Sequence, residues 1–326
     1  IRTSCPSIEL ACVSDLDDKR GVVVGRELGV PFVKDVGDIM ASSAIDAVVV
    51  ATASGTHAAL AVEAARSQKH IFCEKPIALD REVTVKTIED VGATGVVFQV
   101  GLHRRSDPDW VLAANRVHGG ELGDPYFFRA SLRDMSSPPA SFLTGSGGLF
   151  LDVTLHDLDV ARWIVGEVVE VTAIGAALSD PALADMGDVD TAVITLRFEN
   201  GALGVIDNSR SAGYGYESST EVVGSLASLW IDNAPVSGVE WRTPGALTRV
   251  PPEDFTQRYP RAYPLELEAF AATVLRGAPL RASGWDALAA FDLGSAAALS
   301  YRTGSPVPTR PERTGMGVRY EVGQPG

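Results

Sequence analysis

The chain is predicted to fold as an α/β domain on a parallel sheet, residues 1–103, followed by an α+β domain with a large, mainly antiparallel open sheet, residues 104–326. Three observations predict this. Short β-rich runs alternate with helical patterns through roughly the first 100 residues, the signature of βαβ units. After about residue 120 strands follow one another with no helices between them, which makes an antiparallel sheet. The length, 326 residues, is ample for two domains.

Residues 8–14 (IELACVS) are predicted to form a strand, and residues 17–28 a helix that Gly29 stops. Residues 30–34 read as a short strand. Residues 45–51 (IDAVVVA) are an unbroken apolar run, expected for a strand buried on both faces. An Ala-rich helix over 57–67, a strand over 70–73, a helix over 80–91 and a strand over 96–101 complete the alternation. In the second half, residues 126–133 alternate like a half-exposed strand and residues 152–165 have helical spacing. Strands are predicted over 168–177, 191–198, 202–209, 219–223 and 226–231. Glu199-Asn200-Gly201 reads as a hairpin turn between two of them. Helices return over 265–275 and 285–301.

Hydrophobic residues make up 45% and charged residues 21% of the chain, which excludes disorder. The net charge of −14 argues against nucleic-acid and anionic-membrane partners, which need basic patches. The three cysteines, Cys5, Cys12 and Cys73, form neither a disulfide framework nor a zinc motif. They point to a reducing compartment, hence the cytoplasm. No apolar run approaches the roughly 18 residues of a membrane span. No leader is expected, because Ile1-Arg2-Thr3 runs into Ser4, Cys5 and Pro6 rather than an apolar body.

A Rossmann domain opens with a strand, a glycine-rich turn and a helix, and the turn holds a pyrophosphate. No G-x-G-x-x-G follows a strand here; Gly21 and Gly25 lie within a helical stretch. Asp15, however, follows the run 8–14, where such a fold places an acid on the adenosine ribose. Its other reading is a helix N-cap, in competition with Asp17 and Asp18. The chain is therefore expected to start in or after the first helix of such a fold. Its sheet should lack the first, central strand or close around the gap.

Glu74-Lys75-Pro76 follows a strand end, where open parallel sheets bind ligands. Pro76 biases Lys75 toward extended backbone, and a lysine there can stabilise charge on a substrate oxygen. A surface Lys beside Glu is the alternative. Residues 147–166, GGLFLDVTLHDLDVARWIVG, place Asp152 and His156 at i, i+4, which predicts a shared helix face. A carboxylate beside an imidazole fixes its tautomer and suits a general base. A helix cap with a hydrogen-bonded histidine is the alternative. No metal is expected, since His156, Asp157 and Asp159 have no second histidine nearby.

Taken together, these motifs carry a resemblance. The order E-K-P, then G-L-H-R-R-S-D-P, then G-G-L-F-L-D-V-T-L-H-D-L-D-V-A-R-W, resembles the Gfo/Idh/MocA oxidoreductase family. Within it, the bacterial inositol 2-dehydrogenases are similar in Gly187-Asp188-Val189-Asp190-Thr191-Ala192 and Asn208-Ser209-Arg210. The similarity continues in Tyr214-Gly215-Tyr216, in Glu221-Val222-Val223-Gly224, and in Arg261-Ala262-Tyr263 before Glu266. It covers nearly the whole chain. Ser106 stands where the family usually has an aromatic residue, and His103 where it has Asn or Met.

The resemblance implies a Rossmann domain followed by an open-sheet α+β domain, with Lys75, Asp152 and His156 as a catalytic trio. It implies Thr52 and His57 along NAD, and Glu74 and Lys75 near its nicotinamide. Asp15 would favour NAD, because a carboxylate repels a 2′-phosphate. Arg105 would serve substrate hydroxyls or pair with Asp107. Asn208 and Tyr216 would line the substrate pocket or pack as strand residues. The implied reaction is NAD-dependent oxidation of a cyclic polyol, myo-inositol first, with His156 as base. The alternatives are scyllo-inositol or another sugar on the same scaffold, or a truncated relative that binds or regulates. The implied partners are a small polyol or sugar and further copies of the chain, as a dimer or tetramer through the second domain's sheet.

Overall fold

A computed structural model describes residues 4–315 and 317–325. Ile1, Arg2 and Thr3, where no leader was expected, lie outside the described residues. The chain forms two compact units. The first is the segment ending at Ser106 together with Arg261–Leu288, and the second is Asp107–Pro260 together with Ala289–Gly326.

In the first unit, the helix Asp18–Leu28 starts at Asp17, whose carboxylate accepts the Lys19 and Arg20 amides. It ends at Gly29, which adopts the left-handed conformation at φ 63°. Gly21 faces Phe32 so closely that a β-carbon there would lie 2.2 Å from the ring. Strands β1 (Ala47–Val50), β2 (His70–Glu74) and β3 (Phe98–Gly101) form a parallel sheet in that order. The helices Ser54–Arg66 and Arg81–Gly92 are the crossovers, the second capped by Asp80. Val50, Ile71, Val100, Ile88 and Val91 make the core, and Trp285 and Leu288 join it from far along the chain.

Two predicted strands need correction. Residues 8–14 and 30–34 are not strands; they touch through the parallel bridge Val13–Phe32 and, among the described residues, are not joined to the three-stranded sheet. Pro31 offers no N–H there, which shortens the ladder. Among the described residues, β1 is an edge strand of the three-stranded sheet. The run 45–51 is accordingly not buried on both faces, and Val49 is 46% exposed.

The second unit begins with the helix Pro108–His118, capped by Asp107. Its strands are β4 (Pro125–Arg133), β5 (Val168–Ala176), β6 (Thr191–Phe198), β7 (Leu203–Ser209), β8 (Glu217–Gly224) and β9 (Ser228–Ile231). A small hairpin, β10 (Trp241–Thr243) with β11 (Ala246–Thr248), follows, then β12 (Val307–Thr314) and β13 (Gly317–Val322). Eight of these strands form one sheet, in the order β13-β12-β5-β6-β7-β4-β8-β9. The β4–β7 pair is parallel and the other pairs are antiparallel, so the sheet is mixed. The Glu199–Gly201 turn joins β6 to β7, with Gly201 at φ 89°. Neither hairpin after β9 was predicted.

Period two fixes the faces of this sheet. On β6, Ala192, Ile194, Leu196 and Phe198 are buried, while Val193, Thr195 and Arg197 point outward. The helix Thr154–Ile164 lies against β4 and β7. The predicted helix 152–165 is in fact two pieces, Leu149–Asp152 and Thr154–Ile164, broken at Val153. Among the described residues, no helix is long and apolar enough to cross a membrane.

Candidate active site

The carboxyl end of the first unit's sheet gathers Thr52, His57, Glu74 and Lys75. Thr52 is exposed just beyond β1, its hydroxyl 2.7 Å from that of Thr56. The helix Ser54–Arg66 starts without a side-chain cap, and a β-carbon at Gly55 would meet nothing within 4 Å. Uncapped amides at a helix N-terminus attract phosphate. These residues suit an anionic dinucleotide.

His57 is 1% exposed, with Nδ1 2.8 Å from the Pro76 carbonyl and Nε2 2.9 Å from the Thr52 carbonyl. The ring sits between the two loops, and whichever nitrogen carries the proton donates to one of these carbonyls. Lys75 and Glu74 are half-buried where β2 ends. Burial pushes the Glu74 carboxyl above its ordinary range, against the pull of the Lys75 charge. Its oxygens lie over Gly101, where a β-carbon would come within 2.9 Å. Burial and the neighbouring Glu74 charge push the Cys73 thiol up to about 12, so it is no nucleophile.

Asp15 is not a helix cap; Asp17 takes that place. The Arg20 guanidinium holds the Asp15 carboxyl down to about 2, donating from Nε at 2.6 Å and Nη2 at 2.7 Å. Arg105 is buried and pairs with Asp286 at 3.1 Å, and Asp107 caps its own helix. His103 stacks on Tyr263, with ring centroids 5.1 Å apart.

In the second unit, Asp152 ends one short helix and His156 lies in the first turn of the next, with Val153 between them still in the right-handed helical region at φ −95°, ψ −58°. Asp152 is also held from beyond the end of a sheet strand. Asp152 Oδ2 accepts a hydrogen bond from Arg210 Nη1 at 3.1 Å. The helix carrying Asp152 begins at Gly148, which stands at φ 83°, and Asp188 Oδ1 accepts the Leu149 amide at 2.9 Å. A β-carbon on Gly148 would lie 2.9 Å from that same oxygen, so both backbone and space require glycine there.

Asn208 belongs to this scaffold and not to a pocket wall. It is 1% exposed; its Oδ1 accepts from Thr154 Oγ1 at 2.6 Å and its Nδ2 donates to Asp157 Oδ2 at 2.8 Å. It staples the first turn of the helix that carries His156. Asn208→Leu is therefore expected to lower stability by on the order of 1–3 kcal/mol, the cost of unpaired buried partners. Thermal melts check this, and a changed substrate KM at unchanged Tm would restore Asn208 to the pocket. Tyr216 is buried edge-on against Tyr259, ring centroids 6.4 Å apart.

Asp190 was missed as a scaffold acid. Burial opposes its ionisation, yet the Asp180, Leu178 and Ser179 amides and the Thr191 hydroxyl hold its pKa down to about 2. A carboxyl lowered by folding adds stability above its ordinary value, and that stability is lost as pH falls toward the folded value. The stability gap between the wild type and Asp190→Asn should be full at neutral pH and close from about pH 4 to about pH 2. Melts across that range read it directly.

Comparison with known proteins supplies the frame. Residues 1–102 match the oxidoreductase family with an NAD-binding Rossmann fold, and residues 110–230 match the GFO/IDH/MocA C-terminal domain. The scyllo-inositol 2-dehydrogenase (NAD(+)) of Bacillus subtilis (strain 168) is 36% identical, over 97% of this chain and 93% of its own. The myo-inositol 2-dehydrogenase of Thermotoga maritima is 38% identical, over 88% of this chain and 87% of its own. The crystal structure of scyllo-inositol dehydrogenase from Lactobacillus casei, with bound NAD(H) and scyllo-inositol, superposes with a TM-score of 0.87. It is 29% identical and covers 94% of this chain and 93% of that one.

Proposed function

The chain belongs to the Gfo/Idh/MocA oxidoreductases, and from that premise we propose that it is an NAD-dependent inositol 2-dehydrogenase. The observation that carries this reading is a similarity spanning 97% of the chain to an enzyme named for that reaction. Myo-inositol is the first substrate to test and scyllo-inositol the second, since relatives named for each are similar to this chain.

His156 takes the hydroxyl proton, Asp152 orients its ring, and Lys75 stabilises charge on the reacting oxygen. Bound NAD supplies the hydride acceptor. Thr52, His57 and the uncapped start of the helix Ser54–Arg66 would lie along it, Glu74 and Lys75 would stand near its nicotinamide, and Asp15 would disfavour a 2′-phosphate. Tyr216 lines the polyol site. The domain assignment follows: residues 1–103 bind the dinucleotide, while residues 104–326 bind substrate and assemble.

Assembly as a homodimer or tetramer uses the outward face of the large sheet. Ile174, Val193, Leu203 and Trp230 are all exposed on that sheet. The free cysteines Cys5, Cys12 and Cys73 fit a reducing, cytoplasmic setting.

NADH formation against a panel of inositol isomers, sugars and linear polyols tests the function. Turnover of myo- or scyllo-inositol above the rest supports it. Cofactor binding without turnover of any polyol would leave the binding or regulatory relative.

A further inference from the structure

The geometry points to Arg210 as the positioning residue for Asp152: its guanidinium sets the carboxylate that orients the catalytic imidazole. The inference rests on the reading of Asp152 and His156 given above.

Asp152 closes a short helix. That helix is four residues long and ends at Asp152 itself. Arg210 is 0% exposed and donates from Nη1 to Asp152 Oδ2 at 3.1 Å. Both ends of this pair are anchored by one segment. Asp188 accepts the Leu149 amide at the start of the Asp152 helix. The Asp190 carbonyl accepts the Arg210 amide at 2.8 Å. Asp190 is fixed in turn by the amides that its carboxylate collects.

Strand parity brings Arg210 to this place. Ile206 and Asn208 point to the buried side of β7, and Arg210 continues the same series just past its end. Asn208 thereby staples the His156 helix while Arg210 holds Asp152, two residues apart on one face.

The pair is a poor device for stability. Arg210 Nε and Nη2 have no partner among the described residues, and unmet buried donors cost free energy. A buried ion pair seldom outperforms apolar packing of the same volume. Such a pair in this position serves orientation: with Oδ2 accepting from Arg210, the carboxylate's rotation is biased toward one setting, and Oδ1 is the oxygen the reading assigns to the imidazole.

A double-mutant cycle on steady-state kinetics with NAD and myo-inositol tests this, with thermal melts and NAD titration alongside. Arg210→Met is expected to lower kcat roughly 10- to 100-fold, the worth of a charge-assisted hydrogen bond, with KM for NAD unchanged. Arg210→Lys should recover part of the loss, since it restores charge but not the fork. In the Asp152→Asn background Arg210→Met should cost nothing further, because its effect runs through that carboxylate. If Arg210→Met does not fold, Arg210→Lys takes its place in the cycle.

A penalty that persists in full beside Asp152→Asn, or wild-type turnover in the Arg210 variants, overturns the inference while leaving the reading of Asp152 intact. Wild-type turnover in Asp152→Asn alone overturns both.

Discussion

His156→Ala is expected to lower turnover by roughly 10²–10⁴-fold, the span that a positioned general base contributes. Oxidising a carbinol needs an acceptor for the hydroxyl proton as hydride departs. In the second unit His156 lies in the first turn of the helix Thr154–Ile164, and the residues around it are fixed. Thr154 and Asp157 are both bonded to Asn208, so the helix start cannot drift along the sheet. Removing the imidazole leaves that staple in place, and Tm should barely move. NAD affinity should also stay, since the dinucleotide-binding residues are in the first unit. Single-turnover and steady-state rates, with a cofactor fluorescence titration, measure each part. Near-wild-type turnover would remove His156 from the chemistry.

Lys75→Met should lower kcat by roughly 10²–10³-fold, the usual cost of losing one donor aimed at developing oxyanion charge. Methionine keeps much of the stem and drops the ammonium. The backbone beside Lys75 is fixed independently of its side chain, because His57 reaches both the Pro76 and Thr52 carbonyls. The variant should therefore fold and bind NAD like the wild type while failing in turnover. Lys75→Arg should not restore the rate, since a planar fork does not replace a compact charge. A variant that keeps its kcat and loses only cofactor affinity would make Lys75 a binding residue.

The alternation of strands and helices, the stop at Gly29 and the turn at Gly201 were all legible in the sequence, because each depends on neighbours within a few positions. What depends on distant partners was not. Arg105 has Asp107 two places away and pairs with Asp286, separated by 181 positions. Asp152 and His156 have the spacing of a helix face, yet the helix breaks at Val153 between them. Period-two counting along β7 could have shown that Asn208 and Arg210 point inward with Ile206. The conversion of Asn208 from a pocket residue into a staple needed the positions of Thr154 and Asp157. His57 was placed along the cofactor by resemblance, and the two carbonyls that flank its buried ring depend on Thr52 and Pro76, which its own neighbours do not reveal.

The composition of the first unit bears on how the protein can be made. Trp285, Ala287 and Leu288 complete a core whose other buried residues run from Met40 to Val100. A ribosome delivers these two groups of residues far apart in time, with most of the other unit emerging between them. The core of the nascent first unit stays incomplete until the late segment arrives. Expression of residues 1–103 alone would produce a fragment with a permanently unfinished interior. A separately usable cofactor-binding fragment would need Arg261–Leu288 joined back to it.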